Sequence, residues 1–212
     1  MRFVSLLILG VAVVGCCSRN SCEMTRYHED GRAKPTVMIP TMIDTSSFDV
    51  PWSISEELTA TLTQKLTGTG QLYVVKNEDV AFTENPFSPD LSWMKREFPH
   101  QEFVVFLELV EHETVPADKS KSDVPLPELS TNLNMAVRMR VIDMRGHTPK
   151  VVLQETVRNS YFIPRTLLPT NYNVVIWGTS EYEESSMKNA HDALVNEITS
   201  RVTDYILLAK SR

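Results

Sequence analysis

The side chains best able to do chemistry in this 212-residue chain are its histidines, cysteines and clustered carboxylates, and their spacing matters more than their number. Five histidines, His28, His100, His112, His147 and His191, are scattered along the chain. No H-E-x-x-H places two of them one helical turn apart, as a helix-borne metal site would require, and no C-x-x-C lies in the body of the chain. A G-x-S-x-G elbow is absent, and no S-x-x-K is joined by the companion motifs of an acyl-transfer site. Seven glycines are present, and no group of them is spaced to cradle a phosphate. His112-Glu113 stands at the end of an apolar stretch without a second histidine nearby in sequence, and His191 falls on an apolar stripe, where a hydrogen-bonded core imidazole is the expectation. These residues predict no catalytic set, no metal site and no cofactor.

The cysteines are distributed differently. Cys16, Cys17 and Cys22 all lie in the first 22 residues, so no disulfide can staple the rest of the chain. Met1-Arg2 leads into an apolar run from Phe3 to Val14, too short for a spanning helix, which needs about 20 apolar residues, and of the length of a secretory signal. It closes on Val13-Val14-Gly15-Cys16, which resembles a bacterial lipobox. The resemblance implies diacylglycerol on the Cys16 thiol, cleavage before Cys16 and an N-acyl chain on the new terminus. At about 0.8 kcal/mol per buried CH₂, two or more acyl chains make a stable anchor where one would be marginal. Cys17 stands where Asp would imply inner-membrane retention, so the expected location is the outer membrane, on its periplasmic face. Cys17 and Cys22 are free to pair with each other, to bridge two molecules or to remain thiols.

The expected organisation is a signal peptide over residues 1–15, a lipidated flexible tether over 16–34 and a periplasmic domain over 35–212. Residues 17–34 are polar and show no hydrophobic periodicity, giving a flexible reach of about 25 Å and an extended one of about 60 Å. Val37, Ile39, Thr41 and Ile43 alternate as a strand, with Pro40 marking an edge or an irregular exit. Ser53-Ile-Ser-Glu56 is a capping box, and Ile54, Leu58, Leu62 and Leu66 continue as one helical stripe up to Gly68. Gln71–Lys76 reads as a short strand, Asn77-Glu-Asp79 as a cap or turn, and Asn85–Asp90 as a break. Glu102–Glu113 reads as a strand buried on both faces.

From Thr131 to Met144 the alternation is cleaner. Leu133, Met135, Val137, Met139 and Val141 form a core face, and Asn132, Asn134, Ala136, Arg138 and Arg140 a wet one. Asp143–Gly146 turns the chain, and Lys150–Phe162 returns as the partner strand of a hairpin. Asn173–Trp177 reads as a further short strand. A last helix is expected over Ser185–Ala209, with Met187, His191, Leu194, Ile198, Val202, Tyr205 and Leu208 on its stripe. Glu181–Glu184 precedes it and favours its positive end by a few tenths to about 1 kcal/mol. Trp177 and Tyr182 flank a loop with two readings: a contact for a partner, or an aromatic that finishes the core with Gly178 making the turn. Thr114–Ser130 is a long loop of the kind that is more often functional or mobile than packed.

This order of elements, with Val50–Leu58 leading into Leu72–Val75 and the phrase Val137–Gly146, resembles a group of periplasmic lipoproteins. The group comprises the curli-export lipoprotein, the activators of peptidoglycan synthases and the N-terminal domain of the Tol-system protein TolB. The resemblance spans about residues 36–209 and implies an α/β (α+β) domain: a mixed, largely antiparallel sheet with helices mainly on one face. It also implies a non-enzymatic protein that works by binding others. The tether here is short against those of the synthase activators. Arg138 and Arg140 on the expected wet face are unsuited to the lipid-facing hairpins of the pore-forming member.

The 21 Lys and Arg stand against 27 Asp and Glu, a net charge of −6, which leaves no general basic surface for nucleic acid. The function expected from the sequence is therefore a non-catalytic scaffold or regulator of an envelope assembly, attached to the membrane through lipid and bound to an envelope protein whose identity the residues do not give. The alternative is a self-associating, ring-forming subunit of an export apparatus. A carboxylate-based envelope hydrolase is the third option.

Overall fold

The computed structural model describes residues 25–75, 83–117, 130–163 and 170–212. Its centre is a six-stranded mixed sheet in the order β3-β1-β4-β5-β6, with β2 pairing beside β1 along β4. The strands are β1 (Thr36–Met38), β2 (Ile43–Asp44), β3 (Tyr73–Val75), β4 (Phe103–Pro116), β5 (Thr131–Asp143) and β6 (Lys150–Ile163). The short strands run parallel to β4 or to one another, while β4, β5 and β6 form a long antiparallel meander. Helices α1 (Ile54–Gly68) and α4 (Ser186–Lys210) cover one face, and two single-turn helices, α2 (Met94–Glu97) and α3 (Ser180–Glu183), sit at loops. This is the α+β architecture expected, a mixed sheet with its main helices on one side.

The capping box acts as its residues predict. Ser53 accepts the Glu56 amide, and Ile54, Leu58, Leu62 and Leu66 are all buried against the sheet. They meet Val105, Leu107 and Leu109 of β4, Leu133 to Val141 of β5, and Leu194, Ile198, Val202 and Ile206 of α4 in one core. α4 is capped by Ser185, whose hydroxyl accepts the Lys188 amide.

Four expectations need correcting. The strand read across Pro40 is two strands, since a residue without an amide proton breaks the ladder; Pro40 marks the irregular exit of its two readings, and β1 lies inside the sheet between β3 and β4 rather than at an edge. After the break Met42, not Thr41 or Ile43, enters the core. The wet face of β5 is dry at its end: Trp93, Met94, Phe98 and Phe106 form a second core with Ile142, and Arg140 is 6% exposed beneath the 86–88 backbone. Residues 173–177 form turns rather than a strand, and in α4 Tyr205 and Leu208 leave the stripe, their place taken by Ile206. A helix turns 100° per residue, so over 25 residues a stripe read at near-regular spacing drifts off the core.

Within the expected tether, residues 25–34 carry local structure. Tyr27 bridges Ala33 around Gly31, whose φ of 81° suits a residue without Cβ, and Arg26 lies over the Tyr73 ring. The Asn77–Asp79 turn and the interior of the Thr114–Ser130 loop fall outside the described residues. The two strands that border that loop reach to Pro116 and from Thr131.

Candidate functional site

Cys16 lies outside the described residues, as do Cys17 and Cys22. Among the described residues, the fold gathers chemistry at one place the sequence leaves scattered. Glu57 of α1, Tyr182 of α3, His191 of α4 and His112 of β4 converge at the end of the sheet remote from the N-termini of β1 and β4.

Glu57 is the hub. Its Oε2 accepts the Trp52 indole N–H at 2.8 Å, and its Oε1 accepts His191 Nδ1–H at 2.7 Å together with the Tyr182 hydroxyl. The far nitrogen of His191, Nε2, lies 2.8 Å from Nε2 of His112. Nδ1 of His191 donates to the carboxylate, and of the two facing Nε2 atoms one donates and the other accepts. His112 Nδ1, on the other side of that ring, is buried with no hydrogen-bond partner among the described residues. The Phe48 ring packs edge-on against His112 at 4.3 Å, and Trp52 against Tyr182 at 5.4 Å.

Burial sets the electrostatics. It pushes the Glu57 carboxyl up, but the hydrogen bond and charge of His191, with the Tyr182 and Trp52 donors, outweigh it and hold the carboxyl below its ordinary value. Burial, reinforced by the neighbouring His191, drives His112 down from 6.5 to about 3, so this imidazole is neutral in the folded protein. Burial and the Glu57 charge raise the Tyr182 phenol, which stays a donor.

Chemically the chain Glu57–His191–His112 has the connectivity of a proton relay, yet each of its members is 3% exposed or less. In this arrangement no substrate reaches it. Nor do the three converge on one point as metal ligands, since Glu57 and His112 hold opposite nitrogens of His191, and no group of three metal-capable side chains occurs among the described residues. The cluster ties α1, α3 and α4 to the end of β4.

His191 is the hydrogen-bonded core histidine its position predicts. Its partnership with His112 is what sequence reading missed. A bulge at Val110 lets Leu109 pair Val137 while Glu111 pairs Ala136, so His112 arrives opposite Met135 on the core face. Strict alternation from Leu109 would send it to the other face. Glu57, next to Leu58 in an apolar stripe, is the one signal in the sequence that a charge is buried here.

The surface beside this cluster offers less. A groove of about 580 Å³ along α1 is lined by Trp177, Lys65, Lys188 and Asp192, but both lysines pair with Asp192. Trp177 is half-buried against the core and Gly178 makes the turn at φ 91°, as the second reading of that loop had it. The acidic run is absorbed into α3, which buries Tyr182. No helix among the described residues is long and apolar enough to cross a membrane.

Comparison with known proteins bears on the fold. The chain resembles the hypothetical protein CT253 from Chlamydia trachomatis, with 23% identity and a TM-score of 0.63 over 82% of this chain and 98% of that one, which shows a shared fold. Fainter likenesses include a PelC dodecamer variant from Paraburkholderia phytofirmans, at 10% identity and a TM-score of 0.45 over 79% of this chain and 86% of that one. Another is lipoprotein GNA1162 from Neisseria meningitidis, at 13% identity and a TM-score of 0.40 over 82% and 98%. Likenesses of that degree say nothing of what this chain binds or how it assembles. No curated protein matches the sequence. A family model matches residues 23–210, and the chain belongs to that family, described as a family of unknown function (DUF7499).

Proposed function

We propose that this protein is a lipid-anchored protein of the bacterial envelope whose domain binds another envelope protein and catalyses no reaction. The observation that carries the reading is the apolar run ending Val13-Val14-Gly15-Cys16, with Cys16 as the site of diacylglycerol and N-acyl attachment. Two features of the described residues support the non-catalytic half. The cluster of interacting titratable side chains in the core is sealed, and the lysines of the groove along α1 are spent on Asp192. Attachment to the outer membrane, facing the periplasm, is the reading that Cys17 in the sorting position supports.

The test is metabolic labelling with an alkyne-bearing palmitate analogue in wild type and Cys16→Ser. Label on the wild type alone supports the anchor, and a soluble, unlabelled wild type refutes it. In-cell crosslinking of the anchored protein then identifies the partner. Turnover of envelope substrates that one carboxylate substitution abolishes without unfolding would refute the non-catalytic half.

One feature favours a second reading, a self-associating subunit of an export apparatus. β6 is fourteen residues long and lies at the end of the sheet, pairing on one side only among the described residues. Such an edge is a template for another strand. Light scattering on the detergent-solubilised protein separates the two: a concentration-independent monomer argues for the adaptor, a discrete large oligomer for the ring.

A further inference from the structure

The two ends of the sheet differ in the charges they leave exposed. At the end holding the buried cluster, Glu181, Glu183 and Glu184 surround α3, and Glu113 is exposed on β4. At the other end the chain starts β1, β3 and β4, turns from β5 into β6, and finishes α4. There the acids are neutralised locally: Glu102 pairs with Lys210, and Asp143 with Arg145 at 2.7 Å. Lys150 and Arg212 remain exposed beside them, and on the β3 side of the same end the 25–34 hairpin carries Arg26, Lys34 and Arg32, the last paired with Asp30 at 2.6 Å, with Glu29 exposed nearby.

The same end carries apolar surface. Tyr205 and Leu208, which leave the core stripe of α4, are 39% and 50% exposed. With Val151, Val152, Lys150, Arg212 and the paired Arg145 and Asp143 they line a recess of about 300 Å³. An apolar floor rimmed by guanidinium and ammonium groups fits phosphoryl headgroups lying over acyl chains. Eight residues separate Cys16 from Thr25, the first described residue, at most about 32 Å of extended chain. An anchor at Cys16 therefore keeps this end, not the acidic one, close to the bilayer, and anionic lipid would attract it while repelling the other.

We propose that the end built around Tyr205, Leu208, Lys150 and Arg212 is a docking face that seats on anionic phospholipid headgroups of the leaflet holding the Cys16 acyl chains. The proposal rests on the lipoprotein reading. It orients the domain with its acidic end, the edge of the Trp177 groove, and the Pro116 end of β4 and Thr131 end of β5 turned away from the membrane toward partners.

The experiment uses the full-length lipidated protein, with Cys17→Ser and Cys22→Ser, in phosphatidylethanolamine vesicles with or without phosphatidylglycerol. A nitroxide is placed through Leu208→Cys or, as a control at the acidic end, through Val174→Cys. Collision with oxygen and with a water-soluble nickel chelate reports depth. The expected result is a severalfold rise in the oxygen-to-nickel ratio for the label at 208 when phosphatidylglycerol is present, with the label at 174 unchanged. Lys150→Glu with Arg212→Glu returns the label at 208 to water while the protein still floats with the vesicles. A label at 208 that stays in water on protein that floats overturns the docking face and leaves the anchor standing. Equal depth without phosphatidylglycerol overturns recognition of anionic headgroups. Protein that carries no acyl mass and does not float overturns the anchor, and the proposal with it.

Discussion

Nε2 of His191 lies 2.8 Å from Nε2 of His112, joining the middle of the core to the far end of β4 across 79 residues of sequence. The pair is stable only while His112 is neutral, and that makes the fold sensitive to acid. In the unfolded chain this imidazole binds a proton near 6.5, whereas in the folded protein it does so at about 3. Between those values the unfolded state holds more protons than the folded one, so stability falls as pH falls, by up to about 1.4 kcal/mol per pH unit for this one group. Below about pH 4.5 the Glu57 carboxylate, also held low, adds to the loss in the same direction. Replacing His112 by Gln removes the first contribution. The expected outcome is a wild-type urea midpoint that drops steeply between pH 6.5 and 4.5 and a His112→Gln midpoint that drops less. Parallel curves would show that His112 is not buried neutral.

Glu57 has a larger role because three donors depend on it. Glu57→Ala strands the Trp52 N–H, the Tyr182 hydroxyl and His191 Nδ1–H in the core, and breaking a buried charged set by removing one partner costs about 3–5 kcal/mol. Glu57→Gln keeps an acceptor at one position and puts an NH₂ against donors at the other, so an intermediate loss is expected. A double-mutant cycle between Glu57→Gln and His191→Gln checks the assignment by equilibrium unfolding. Strictly additive losses would mean that the two side chains do not interact.

Local rules decide how much of this protein is legible in its sequence. The α1 stripe, its Ser53 cap and the β5–β6 hairpin were legible because each depends on residues within a few positions of one another, and periodicity records which face is buried. Features that depend on distant chain were not. Arg140 reads as a wet residue because nothing near it in sequence reveals that residues 86–88 fold over β5 and present their carbonyls to it. The Val110 bulge is equally silent, and one extra residue there reverses which side of the sheet His112 occupies. Tyr205 and Leu208 fit a helical stripe by spacing alone, but a helix turning 100° per residue carries that spacing off the core, and Ile206 is buried instead.

Arg140 yields a prediction of its own. Its guanidinium donates to the carbonyls of Pro86, Phe87 and Ser88 and to Gln154, satisfying a loop that has no ladder to join. Arg140→Ala leaves those carbonyls unpaired at about 1 kcal/mol or more apiece, for a total loss of about 2–4 kcal/mol. Arg140→Lys should recover little, because one ammonium cannot reproduce a planar fork. Hydrogen exchange over residues 85–98 should rise in both variants while α4 stays protected. Faster exchange spread evenly over the molecule would instead assign Arg140 a global role.

The Ser53 cap offers the most local test. Its hydroxyl accepts the Glu56 amide at 3.2 Å at the start of α1, where the carboxylate of Glu57 enters the core. Ser53→Ala should cost about 1 kcal/mol through the orphaned amide, and Ser53→Asp should hold or slightly raise stability by placing charge at the positive end of the helix. Because the first turn of α1 carries Glu57, the alanine variant should also loosen the Trp52 contact, seen as a red shift in tryptophan emission. A stability loss without any change in emission would separate capping from the buried cluster, and show that packing of Ile54 and Leu58 alone holds Glu57 in place.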